Sequence, residues 1–213
     1  MNNLENLILK ALEQLNKLNS EQISNLVEIK EASSKSLLSI LINEHIVDEE
    51  TFFDVLSDIY RRGNADIDDI STDLQVDQKR FIEHVCKKFK ITFFDLDDID
   101  IDYRISEKLS TAQLKTYSAI PVKEDEISVY VAFKNPFDVI AQDKVQNLFN
   151  RKLLKVACAD PAQIEKYINK VALNESIKDV VAEIRRELSS SASQGQNTEN
   201  SGILKLIEII LKT

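Results

Sequence analysis

The stretch Ile127-Ser-Val-Tyr-Val-Ala-Phe133-Lys-Asn135-Pro136-Phe-Asp138 decides the fold. Ile127, Val129, Val131 and Phe133 occupy alternate positions, the period of a strand with one face on a core. Asn135-Pro136 then predicts a helix, Asn as cap and Pro as first residue. Its expected buried face is Val139, Ile140, Val145, Leu148 and Phe149. Leu153 to Cys158 reads as a further strand. A strand–helix–strand step needs a crossover, so these two strands are expected to be parallel with a right-handed connection.

Upstream, Ser110 and Gln113 have the spacing of a capping box for a short helix through Tyr117. Ala119-Ile120-Pro121-Val122 reads as a strand, and Pro121 assigns it to an edge or a bulge. Glu124-Asp125-Glu126 is the expected turn into the quoted strand. Downstream, Asp160-Pro161-Ala-Gln163 repeats the cap logic for a helix bearing Ile164, Tyr167 and Ile168. Residues 91–171 therefore form an expected three-stranded αββαβα domain. At its start, Thr92-Phe93-Phe94-Asp95-Leu96 is aromatic and β-prone. Residues 98–105 then alternate strictly, Ile99, Ile101, Tyr103 and Ile105 against Asp98, Asp100, Asp102 and Arg104, which predicts an extended segment on a core.

Residues 1–90 read as a helical bundle. Leu4, Leu7, Ile8, Ala11, Leu12, Leu15 and Leu18 form one helical stripe. Ser20 is the expected cap of a helix with Ile23, Leu26 and Val27, and Leu37, Leu38, Leu41 and Ile42 mark a third. Asp48 caps a fourth, with Glu49 and Glu50 favouring its positive end and Phe52, Phe53, Leu56, Ile59 and Tyr60 inside. Residues 61–75 are acidic and are expected to form a loop. Asp77 caps a fifth helix carrying Phe81, Ile82, Val85, Cys86 and Phe89. After the αββαβα domain, residues 172–188 predict an amphipathic helix. Residues 189–201 have the composition of a flexible linker. Residues 202–213 are an apolar helix expected to open a missing ATPase domain, or else to pack back on the globular part or a partner.

Composition narrows function. Three Gly and three Pro disfavour a turn-rich sandwich or barrel and favour an α+β fold dominated by helices. A net charge of −9 repels phosphate backbones and argues against nucleic acid. Lys87, Lys88 and Lys90, and Arg151, Lys152 and Lys155, are short basic runs read as solvated charge. No run of 18 apolar residues and no signal peptide is visible, so the expected location is cytoplasmic, at most peripheral to the inner membrane. Cys86 and Cys158 read as buried free thiols suited to a reducing compartment.

The residues for catalysis are missing. Gly63, Gly195 and Gly202 are far apart and no Gly-Lys pair exists, so no phosphate loop can form. His45 and His84 have no second His or Cys at zinc-ligand spacing. A calcium loop starting at Asp98 would need Gly and Glu where Tyr103 and Leu109 stand. No G-x-S-x-G elbow occurs. Neither catalytic, cofactor-binding nor metal residues are assigned, and the chain is read as no enzyme. A free-standing enzyme with an unrecognised site is the least favoured alternative.

Leu109-Ser-Thr-Ala-Gln-Leu-Lys-Thr-Tyr-Ser-Ala-Ile-Pro-Val122, Val129-Tyr-Val-Ala-Phe-Lys-Asn-Pro-Phe-Asp138, Ala159-Asp160 through Ile164 with Tyr167-Ile168, and Phe93-Phe94-Asp95-Leu96 come in a familiar order. Over roughly 75–171 they resemble the N-terminal domain, of the MshEN kind, of type II secretion and type IV pilus assembly ATPases. Ile203-Leu-Lys-Leu-Ile-Glu-Ile-Ile-Leu211 is similar to the helix that opens the motor of that family. The resemblance implies a non-catalytic docking or regulatory region. It would couple a cytoplasmic motor to inner-membrane platform proteins, with ATP bound only in the absent motor domain.

Some members of that family bind cyclic di-GMP through paired RLGxxLxxxGxI motifs, so a sensing domain is the alternative. Leu37, Ile40, Leu41, Ile46, Val47 and Phe52 keep the apolar spacing of one motif. Ser36 stands at its Arg, however, and Leu38 and His45 stand at its glycines. A second motif near 65–85 has Ala65, Ile67 and Leu74 at the corresponding places. Losing Arg and Gly removes the guanine and phosphate partner and the close backbone approach, so no tight cyclic di-GMP binding is expected.

Overall fold

A computed structural model describes residues 2–99, 101, 105, 108–149 and 152–194, with side chains to residue 186. Among them are nine helices and four strands. The bundle comprises α1 (Asn3–Gln14), α2 (Ser20–Ala32), α3 (Leu37–Asn43), α4 (Glu49–Arg61), α5 (Ile67–Leu74) and α6 (Gln78–Phe89). Three of its turns follow one recipe. A left-handed residue ends the helix, Asn16 at φ 54°, His45 at 54° and Gly63 at 72°. The next N–H returns to a carbonyl five residues back: Lys17 to Leu12 (2.9 Å), Ile46 to Leu41 (3.0 Å) and Asn64 to Ile59 (3.2 Å). An apolar residue then turns inward, Leu18, Val47 or Ala65. The following residue, Asn19, Asp48 or Asp66, caps the next helix.

That recipe corrects two expectations. The cap of α2 is Asn19, with Ser20 as first helical residue. The acidic stretch 61–75, expected to be a loop, contains α5. Asp66 accepts the Asp69 N–H at 2.8 Å, and Asp68 and Asp69 lie in the first turn, where negative charge favours the helix. Ile67, Ile70 and Leu74 are buried at helical spacing. The caps expected at Asp48, Asp77 and Ser110 are present.

The second layer is a four-stranded sheet, not a three-stranded one: β1 (Thr92–Phe93), β2 (Ala119–Glu124), β3 (Ser128–Phe133) and β4 (Leu153–Cys158), in the order β1-β4-β3-β2. Thr92 and Phe93 pair in parallel with Ala157 and Cys158. β3 and β4 are parallel as expected, β2 and β3 antiparallel. β2 is an edge strand whose register slips between Pro121 and Lys123, which meets the expectation for Pro121. β3 starts at Ser128, so Ile127 lies outside it and is 72% exposed, not inward.

Three helices complete the sheet unit: α7 (Thr111–Tyr117), α8 (Val139–Leu148) and α9 (Pro161–Gln194). Asn135-Pro136 does not start α8. The Asn135 side chain accepts the Phe137 N–H at 2.9 Å, closing a turn, and Asp138 caps the helix through the Ala141 N–H at 2.9 Å. The later start rotates the helix, so Val139 and Ile140 are 62% and 75% exposed while Ala141 and Val145 are buried. α9 is continuous, so 172–188 is no separate helix and helical backbone covers 189–194 of the expected linker. No Gly or Pro interrupts it. The extended reading of 98–105 fails where it is described. Residues 96–97 form a turn, 98–99 a bend, and Ile105 is helical, while Ile99, Ile101 and Ile105 do pack on the core. Residues 100, 102–104, 106–107 and 195–213 lie outside the described residues.

Bundle and sheet meet at an aromatic wedge. Phe137 packs between Tyr60 and Phe89, ring centroids 5.8 and 5.1 Å away, and Tyr60 packs on Phe81 at 5.7 Å, all near edge-to-face. The Tyr60 hydroxyl donates to the Lys134 carbonyl at 3.0 Å. Phe137→Ala should cost about 2–3 kcal/mol, given its partial burial, and Tyr60→Phe about 1 kcal/mol. Urea unfolding should show both as lower midpoints; unchanged midpoints would mean the wedge does not hold the layers together.

Candidate interaction site

The layers leave a cleft of about 640 Å³ between them. α5 and α6 supply Asp68 and Gln78, and Lys115 and Ser118 come from the end of α7. Lys134 follows β3, and α9 adds Pro161, Ala162, Ile164, Glu165, Ile168 and Asn169. A smaller hollow beside it shares Asp68, Ser118 and Lys134. Ser118 adopts φ 44° and its carbonyl accepts the Lys134 N–H at 2.9 Å, which turns α7 into β2 and sets Lys134 at the mouth. Lys134 Nζ reaches Asp68 at 2.5 Å and Gln78 donates to the same carboxylate at 3.1 Å. The lysine bond, more than the opposing desolvation, holds the Asp68 carboxyl below its ordinary range. These groups offer hydrogen bonds and one exposed ion pair. No nucleophile stands against a base among these described residues.

A second seam centres on Asp95. Its carboxylate accepts Lys79 Nζ at 2.8 Å, Gln163 Nε2 at 2.6 Å and the Asp97 N–H at 3.2 Å. Gln163 Oε1 accepts the Leu96 N–H at 3.0 Å, and Tyr167 Oη donates to the Leu96 carbonyl at 2.6 Å. α6, the segment after β1 and α9 are thereby tied at one point. The Lys79 and Gln163 bonds bring the Asp95 carboxyl down to about 2.

The helix Gln78–Phe89, considered above for its basic end, has much of its charged face already matched. Arg80 pairs with Glu49 at 2.5 Å and His84 meets Asp54 at 3.0 Å. Lys88 pairs with Asp58 at 3.1 Å and donates to the Asp54 carbonyl at 2.6 Å. Of the second basic run, Lys152 pairs with Glu124 at 2.7 Å and Lys155 is exposed; Arg151 lies outside the described residues. Cys86 and Cys158, distant in sequence, share the bundle core as free thiols. The side-chain hydrogen bond with Cys86, followed by burial, pushes the Cys158 thiol up.

The residues at the cyclic di-GMP motif positions have other work. Ser36 is buried and its hydroxyl accepts the Ser39 N–H at 3.3 Å, capping α3. Leu38 packs against the bundle core. His45, at the second Gly position, has a left-handed backbone. Ile67 and Leu74 are core residues. Among the described residues no group of three His, Cys, Asp or Glu side chains could hold a metal ion, and no helix is long and apolar enough to cross a membrane.

What the sequence reading missed is an exposed sheet face carrying Lys123, Tyr130, Leu153 and Lys155. Alternation along β4 held the signal, Leu153 and Lys155 leaving the core while Leu154 and Val156 pack against it.

Residues 89–176 match the family model of the MshEN domain. The match bears out the resemblance to the N-terminal region of secretion and pilus assembly ATPases. Among solved structures, MshE with cdg is 13% identical, covering 80% of this chain and 99% of that one at a TM-score of 0.41. The N-terminal domain of XpsE, in two crystal forms, is 17% identical, covering 79% of this chain and 96% or 97% of that one at 0.36. No curated protein matches.

Asp95, Asp97, Asp68 and Glu124 all have folded-state carboxyls lowered by hydrogen bonds to lysine. Their stabilisation is complete above the ordinary carboxylate range and is lost as pH falls through the lowered values. Urea midpoints should therefore drop between pH 3.8 and about 2, the interval spanned by Asp95. Asp95→Asn should flatten that dependence; an unchanged slope would remove Asp95 from the seam.

Proposed function

We propose, from the premise that residues 89–176 form an MshEN domain, that the chain is a docking and regulatory N-terminal region of a secretion or pilus assembly ATPase. On this reading it couples a cytoplasmic motor to inner-membrane platform proteins. The observation that carries it is the domain match on a sheet unit packed against a helical bundle, in a sequence with no Gly-Lys pair to cradle a phosphate. Nucleotide turnover would belong to a motor domain beyond these residues. An interaction role also fits the site: a two-layer cleft lined by an ion pair, amides and apolar side chains. The domain boundary at 90 belongs to the same proposal, whereas the last helix runs unbroken across 171 to Gln194.

Two experiments test it. Immobilised chain should retain the cytoplasmic regions of the platform proteins of its own secretion or pilus system and show no ATP hydrolysis above buffer. Retention that persists after deletion of residues 1–171 would count against the reading.

The alternative is cyclic di-GMP sensing. The left-handed His45 favours it, because a positive φ is a conformation that glycine adopts readily. Against it stand Ser36, used as a helix cap, and the absence of an Arg at that position. We propose that binding is weak. Isothermal titration should give a Kd weaker than about 1 μM, above the −8.2 kcal/mol that this affinity represents. Micromolar or tighter binding would establish the sensing reading instead.

A further inference from the structure

Large apolar side chains are exposed in three places among the described residues: Leu15 and Ile29 on the bundle, Val139 and Ile140 at the start of α8, and Ile127 with Leu153 at one end of the sheet. Nothing around the first two indicates what would cover them. The third has a defined chemical setting. Leu153, 53% exposed, donates its N–H to the Ile127 carbonyl at 2.8 Å, so the two residues adjoin.

Strand register fixes their neighbours. Lys123 lies opposite Tyr130, Tyr130 opposite Lys155, and Ser128 opposite Leu153. Lys123, Tyr130 and Lys155 thus form one row across the sheet, and Ser128 and Leu153 the next row on the same face. Lys123 Nζ lies 4.4 Å from the centre of the Tyr130 ring and 5.8 Å from that of Phe94. Phe94 in turn meets the Tyr130 ring edge-on at 6.2 Å. Neither Lys123 nor Lys155 has a carboxylate within ion-pair distance among the described residues, although the chain carries a net charge of −9. Lys108 and Lys152 share Glu124 next door, so that carboxylate is already engaged.

We infer that this half-face, with Lys123, Tyr130, Leu153 and Lys155 at its centre and Ile127 at its rim, receives an acidic segment of a partner protein that also carries apolar side chains. Charge complementarity selects that occupant. A second copy would bring the same two rows, which carry lysines and no carboxylate to meet them. The segment 203–211 carries Lys205 and Glu208 and is followed by Lys212, so it brings no net negative charge. Nucleic acid would gain nothing from the exposed apolar side chains of Leu153 and Ile127. Apolar contact supplies affinity, while the two lysines orient the partner and hasten its encounter. The inference deepens the docking reading and rests on it.

The test is biolayer interferometry of the full chain against the purified cytoplasmic regions of the platform proteins. It compares wild type, Lys123→Glu/Lys155→Glu, the milder Lys123→Gln/Lys155→Gln, Leu153→Ser, and Val139→Ser/Ile140→Ser as a surface control. Thermal melts should be unchanged in all of them. Charge reversal should weaken binding about tenfold or more, Gln replacement and Leu153→Ser less, and the α8 control not at all; wild-type binding should fall as salt rises. Undiminished binding by the charge-reversed chain, or a loss confined to the α8 control, would overturn this surface and leave the docking reading intact. If wild type binds none of the regions, the docking reading fails and the inference falls with it. Binding of duplex DNA or anionic vesicles that charge reversal abolishes would also overturn it, by assigning the lysines to phosphate.

Discussion

The arrangement of the two layers depends on a buried phenol that needs an acceptor. Tyr60 lies within the bundle core at 1% exposure, and burial pushes its hydroxyl pKa up, so it stays protonated and must donate. The acceptor is the Lys134 carbonyl, just past the end of β3. That bond and the Phe137 ring beside it set the sheet against α4 and α6. Both seams follow from this placement. Lys134 is carried to Asp68, and the segment after β1 brings Asp95 between Lys79 and Gln163.

The ion pairs across the seams, Lys79 with Asp95 and Lys134 with Asp68, reach solvent and are each of small energetic weight. Their role is registry: they match groups from four elements and so define which surfaces remain free. Much of the charged face of α6 is consumed by α4, and Glu124 by Lys108 and Lys152. On the sheet face around Tyr130, neither Lys123 nor Lys155 has a carboxylate within ion-pair distance among the described residues. A protein that works by contact is specified as much by these occupied surfaces as by the open one, because a matched surface gains little from a new partner.

Helix positions were legible wherever apolar periodicity and a cap coincided, as at Asp48, Asp77 and Ser110. The acidic residues of α5 hid a helix because carboxylates in a first turn look like a solvated loop until the cap is recognised. At Asn135 two outcomes compete locally, since Asn followed by Pro serves either as a helix cap or as a turn. Tertiary packing chose the turn, because it delivers Phe137 to the Tyr60 ring. The two-residue β1 was below the length at which a strand has any period, so only its pairing with Ala157 and Cys158 reveals it.

From the sequence alone came the α+β class, the helical first portion, the parallel pairing of the strands on either side of α8, the edge position of Pro121 and the lack of a phosphate loop. Each depends on neighbours within a few residues or on which residue types are present at all. Tertiary structure alone decided that Cys86 and Cys158 share one core, that Asp95 joins α6 to α9, and that Lys123, Tyr130 and Lys155 form a row. Those relations join residues tens of positions apart, and no local period encodes them; they arise when the packing of one aromatic wedge fixes two layers in space.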